Sequence, residues 1–190
     1  MKRLLFALLA VAGVAGAQQQ GQTQGSPLRL TPRQQANVEL TVYLVIGSPQ
    51  PQQNGGKNDD VPADLTSTLQ QLHGVFAFKS YKMMDVITLR ARAGRGGSEV
   101  AGDLPDFSHY DFRFNYATVT PETPRTVRID GLRLEITRRA RAARGENGPD
   151  VVALVSTDID IKEGQKTVVG KSAVNGTDAL FLVIVPKVTE

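Results

Sequence analysis

Val38, Leu40, Val42, Leu44 and Ile46 alternate with Glu39, Thr41, Tyr43 and Val45. A period of two puts the first set on one face of a β-strand. Tyr43 and Val45 make the second face apolar near the end, which predicts cover on both sides there. The last apolar segment, Ala179–Pro186 (ALFLVIVP), is apolar on both faces along its whole length and is predicted at the centre of a sheet. One stretch has a different period. Leu65, Leu69 and Leu72 recur at i, i+4 and i+7, a single helical stripe. Asp60 and Pro62 are start signals, Asp64 puts a carboxylate where the helix dipole favours it, and Gly74 suits a left-handed end.

The remaining segments read as strands separated by turns. Val75–Tyr81 and Met84–Ala93 are two strands with a short break between them, followed by a glycine turn at Gly94-Arg95-Gly96-Gly97. Tyr110–Val119 places Phe112, Phe114 and Tyr116 on one face, with Asp111, Arg113 and Asn115 on the other. Val127 and Ile129 keep odd parity while Leu132, Leu134 and Ile136 are even. The change falls at Asp130-Gly131, a dipeptide that suits a type I′ hairpin. Val151 to Ile161 alternates, Glu163-Gly164 turns the chain, Lys166–Val174 returns, and Asn175-Gly176 turns it again into the last strand. Gly47–Asp60 and Arg138–Pro149 are polar loops. About ten strands and one helix define a mostly β (α+β) chain, an antiparallel β-sandwich or partly open barrel with one helix against it.

The first residues belong to a different kind of signal. Lys2 and Arg3 precede an apolar run from Leu4 to Val14, and Ala15-Gly16-Ala17 follows. This is the order of a cleaved secretory signal, and the run is shorter than the roughly 20 residues a bilayer span needs. Residues 1–17 are therefore expected to be a signal peptide, 18–35 a disordered polar leader, and 36–190 a single β-rich domain. No cysteine follows the apolar run, which excludes a lipid anchor at the new N-terminus. The expected location is periplasmic or secreted, with no transmembrane segment in the mature chain.

Composition narrows the chemistry. There is no cysteine among the 190 residues, so disulfides, thiol nucleophiles and thiolate metal sites are excluded, and an exported chain must rely on its core. Removal of Lys2 and Arg3 leaves 20 basic residues against 19 acidic ones. That near-neutral balance argues against general nucleic-acid binding. The two histidines, His73 and His109, are too few for a multi-histidine metal centre. His109-Tyr110-Asp111 offers an acid–base pair without an identifiable third group, and no G-x-S-x-G elbow supplies a serine. His73 reads as a cation at a helix C-terminus. Asp158-Ile159-Asp160 could gather oxygens for a hard cation but lacks the glycine-containing calcium loop, and D-x-D is common on a solvated strand face. No phosphate-binding glycine motif is present. The expectation is no enzyme, no cofactor and no metal.

One charge cluster stands out: Arg133, Arg138, Arg139, Arg141 and Arg144. It could meet phosphates of lipid headgroups or lipopolysaccharide, or an acidic partner. Arginines at a strand end also block edge-to-edge pairing, and that structural role is the expected one.

The C-terminal stretch STDIDIKEGQKTVVGKSAVNGTDALFLVIVPKV resembles the end of the secretin domain of the type II and III secretion and type IV pilus channels. The matching residues are Thr157, Gly164, Gln165, Thr167, Val168, Val169, Gly170 and Pro186, and VELTVYLVI is similar to that domain's first strand. The match spans about 40 of the 190 residues. It departs from the family at Lys171, where a second glycine is usual. Between Gly170 and the last strand only Lys171 to Asp178 intervenes, with no room for the membrane-facing hairpin. The large ring-forming domains have no counterpart in these residues. Pore formation is therefore not carried over. The resemblance implies a secretin-like β module that packs against envelope or secretion machinery. The expected function is an exported, non-enzymatic interaction or structural module of the envelope. The alternative is a carrier that holds a small apolar ligand in a sandwich or barrel.

Overall fold

A computed structural model describes residues 36–51, 61–105, 108–138, 150–174 and 176–189. The expected signal peptide, the polar leader and most of both polar loops lie outside the described residues. Among the described residues nine strands follow in order: β1 (Asn37–Ser48), β2 (Ser80–Arg92), β3 (Ser98–Asp103), β4 (Ser108–Phe114), β5 (Tyr116–Val119), β6 (Thr126–Arg138), β7 (Asp150–Lys162), β8 (Thr167–Val174) and β9 (Asp178–Thr189). A 3₁₀ turn (Ala63–Leu65) leads into one helix, α1 (Thr66–Val75). The fold is mostly β, a sandwich of two antiparallel sheets that do not close into a barrel. No helix among the described residues is long and apolar enough to cross a membrane.

The first sheet has the order β2-β1-β9-β8, so the two strands with the most apolar sequence are its central pair. Val38, Leu40, Val42 and Leu44 point between the sheets with Leu180, Leu182 and Ile184. Tyr43, Val45, Phe181 and Val183 point the other way, into a second cluster with Leu65, Leu69 and Leu72. The helix exists because it covers that outer face; a ten-residue helix on its own is marginal in water. None of the six residues Ala179–Ile184 is more than 1% exposed, as the two-faced apolar pattern predicts.

In the second sheet, β3 pairs with β4 and β7 runs along the whole of one edge of β6. The other edge of β6 is shared. β4 lies opposite Arg133–Arg138 and β5 opposite Val127–Asp130. Tyr110, Phe112, Phe114, Ile129, Leu132 and Leu134 face the first sheet and fill the interior. Two contacts tie the layers at opposite sides. On one, the Leu154 N–H donates to Ser172 Oγ at 3.2 Å. On the other, the Tyr110 hydroxyl meets Asp85, and burial first and that carboxylate second push the phenol up from its ordinary value. The Glu163 carboxylate makes a third tie. It accepts from Arg125 Nε at 2.8 Å and from the Val188 N–H at 2.9 Å, joining the β7–β8 turn to β9.

Several local expectations are corrected. Of the expected strand Val75–Tyr81 only Ser80 and Tyr81 are extended, as the start of β2: Val75 ends α1, and Phe76 and Phe78 fold over Phe181 at ring separations of 5.2 and 5.6 Å. The outer face of the first sheet needs those rings more than it needs another strand. No break follows Tyr81. β2 runs on, with one extra residue, Met84, opposite the Leu44–Val45 step. Gly74 lies inside α1 without a left-handed backbone, and the helix ends on the Phe76 N–H bonding the Leu72 carbonyl at 2.8 Å. β3 was not expected, because only Val100 in its short, charged sequence packs on the core.

The most consequential correction concerns parity. Asp130-Gly131 is no hairpin turn but a bulge inside one long strand: Ile129 faces Ile159 and Leu132 faces Thr157, so β6 spends one residue more than β7. The extra residue flips the alternation, which is why both the odd and the even apolar positions reach the core. Gly131 takes the left-handed backbone the bulge requires, at φ 66°. The same level interrupts the neighbouring strand. Asn115 separates β4 from β5 and donates its N–H to the Asp130 carbonyl at 3.0 Å. Tyr116, expected beside Phe112 and Phe114, is 38% exposed, and Ala117 is buried instead.

Candidate functional site

The interrupted level creates a groove on the solvent face of the second sheet. Gly97, Asn115 and Gly131 lie there side by side, with the Asn115 side-chain amide against Gly131. Neither glycine can be replaced freely. A Cβ on Gly97 would run into the Phe114 carbonyl, and one on Gly131 into the Asn115 side-chain amide. Asp158 holds the bulge from β7 by accepting the Gly131 N–H at 2.6 Å.

One rung further along the sheet the pattern changes to long polar side chains. Glu99 is opposite Arg113, Arg113 opposite Arg133, and Arg133 opposite Ser156. Together with Ser98, these residues and the glycine level line an open, polar groove of about 610 Å³. Arg133 is held from the side. Its Nη2 donates to Glu135 Oε2 at 2.7 Å, and its Nε to the same oxygen at 3.3 Å. Arg113 is exposed and closes on no carboxylate among the described residues. Arg113 and Arg133 are like charges directly opposite each other, and the surface balances them with Glu99 across from Arg113 and Glu135 bonded to Arg133.

Below the groove lies a separate acidic region. Arg128 Nε donates to Asp130 Oδ1 at 3.0 Å, and Asp130, Asp160 and Asp158, in that order of effect, hold the guanidinium more firmly charged. Asp158 and Asp160, weighed above as cation ligands, thus serve the bulge and the Arg128 pair. Among the described residues no group of three potential ligands is placed to hold a metal.

Of the five arginines singled out by sequence, Arg133 lies in the groove. It is no edge guard, since β6 is paired on both sides along its length. Arg138 ends β6 with its backbone between Ser108 and Asp150, while Arg139, Arg141 and Arg144 lie outside the described residues. Sequence reading missed Arg113, Glu99 and Asn115. The outward parity of Arg113 in β4 was legible, but its register against Arg133 was not.

His109 Nδ1 lies 3.2 Å from Asp103 Oδ1, both side chains well exposed at the end of β3, with Asp111 one rung away. His73, in the last turn of α1, presents its ring to Tyr81 in an edge-to-face contact at 6.1 Å. Compared with protein-family models and with curated proteins, the chain matches none of them.

Proposed function

We propose that the protein is exported and acts as a non-enzymatic β interaction or structural module of the cell envelope. The observation that carries this reading is the open edge of β2. This strand of 13 residues pairs with β1 on one side and has no ladder on the other among the described strands. Such an edge recruits an extended segment of a partner by strand addition. It is guarded as edges in solution usually are, by Lys82, Arg90 and Arg92 and by the bulge at Met84, which favours a specific partner over self-pairing. The charged start, apolar run and Ala15-Gly16-Ala17 triplet support export. The likeness of the β7, β8 and β9 sequences to the end of the secretin domain supports a partner in the secretion machinery. The interior is filled by the chain's own side chains, among them Phe112, Leu132, Leu134 and Leu180, which weighs against an apolar-ligand carrier.

The test is site-specific photo-cross-linking in intact cells. A photo-reactive residue at Val86 or Thr88 on β2 should yield one discrete adduct, and the same residue at Lys162 on β7 should yield none. The mature chain should begin at Gln18. Uncleaved protein in the cytoplasm, or equal labelling at all three positions, would overturn the proposal.

A further inference from the structure

We infer that the groove on the second sheet is a binding site for a monosaccharide that carries one anionic group. This is independent of the β2 edge, which belongs to the other sheet. Three features converge on it. First, Arg113 and Arg133 stand opposite each other on one rung, and guanidinium forks suit carboxylate and phosphate oxygens. Glu99 lies opposite Arg113 but makes no ion pair with it among the described residues, so an anion between the two arginines meets guanidinium donors still unused. Glu135 already neutralises Arg133 from the side, so Arg113 is the guanidinium left for a ligand.

Second, the other lining groups match hydroxyls and not a bare ion. Glu99 accepts hydrogen bonds, Asn115 both donates and accepts, and Ser156 does the same at the far end of the rung. Glu99 also opposes a second negative charge, which selects a ligand with one anionic group and many hydroxyls over a polyanion. Third, the volume of about 610 Å³ lies within the range of small-molecule sites. The depression is built in and not incidental: backbone bulge, strand break and two sterically enforced glycines fall at the same level.

Calorimetry on the mature protein at low salt tests the inference, with glucose 6-phosphate, glucuronate, glucose and inorganic phosphate as probes. Both anionic sugars should bind saturably, and glucose and inorganic phosphate at least tenfold more weakly. Arg113→Gln should weaken the anionic sugars at least tenfold. Arg128→Gln, outside the groove, should leave them unchanged, and melting curves establish that both variants fold. Glu99→Gln should narrow the gap between sugar phosphate and free phosphate. No saturable binding of either anionic sugar would overturn the inference. So would binding indifferent to Arg113→Gln, or inorganic phosphate binding as tightly as glucose 6-phosphate.

Discussion

The two sheets of this sandwich solve opposite problems. The central strands of the β2-β1-β9-β8 sheet are covered on both faces, by the second sheet on one side and by α1 with Phe76 and Phe78 on the other. The second sheet is covered on one face only and turns a mixed-charge surface to solvent. Its outer positions are Glu99, Asp111, Arg113, Arg133, Glu135, Asp158 and Asp160. Along β1 and β9, where both faces are buried at the centre, no side-chain position is left for recognition, so these two strands carry stability and leave recognition on this sheet to the open edge of β2. The second sheet can spend every other residue on a surface. Its irregularities, the Gly131 bulge and the Asn115 break, cost some pairing and shape that surface.

The comparison breaks most completely if β9 is removed. It is a central strand, so deleting residues 178–190 should abolish the cooperative melt and leave insoluble or unfolded chain, although the lost piece is terminal. A soluble truncation with a native-like transition would place the core elsewhere. Next in size is Leu69→Asp, which sets a carboxylate under α1 among Tyr43, Val45 and Phe181. The loss of the leucine and the burial of a charge should cost about 3–5 kcal/mol in a denaturant titration. A cost below about 1 kcal/mol would mean that the helix is a dispensable cover.

The second sheet should respond less. Gly131→Ala forces a side chain into the left-handed region and against Asn115, at a cost of about 1–2 kcal/mol. The tie between the sheets sets the smallest effect and has a definite pH dependence. The Arg125 hydrogen bond, aided by the Val188 N–H and partly offset by burial, holds the Glu163 carboxyl below its ordinary value. Its contribution is therefore fully present above the unfolded-state pKa and is lost as pH falls through the lower folded-state pKa. Because both partners are partly exposed, Glu163→Gln should cost about 1 kcal/mol at neutral pH. That difference should shrink below about pH 4. A difference independent of pH would assign the effect to packing.

The same contrast explains what could be read in advance. The central strands and the helix were legible because each is specified by its own residues: alternation in β1, apolar residues on both faces in β9, and the stripe Leu65, Leu69, Leu72. The errors fell where local chemistry has two outcomes. Asp130-Gly131 supplies a positive φ equally well to a hairpin turn and to a bulge, and only the pairing of β6 with β7 along its full length decides between them. Phe76 and Phe78 alternate like a strand but answer to Phe181, more than 100 residues away in the sequence. The groove was out of reach for a stronger reason. Its basic rung joins Arg113 to Arg133, whereas sequence proximity had grouped Arg133 with Arg138, Arg139, Arg141 and Arg144. Cross-strand register is a long-range property that no local pattern records.

Native-state hydrogen exchange, resolved by residue, tests the asymmetry of the two sheets most directly. Amides of β1 and β9 should exchange only through global unfolding, with opening free energies equal to the stability measured by denaturant. Amides of β3 and β5, on the sheet with one bare face, should open locally and exchange faster. Equal protection across both sheets, or faster exchange in β9 than in β3, would contradict the account.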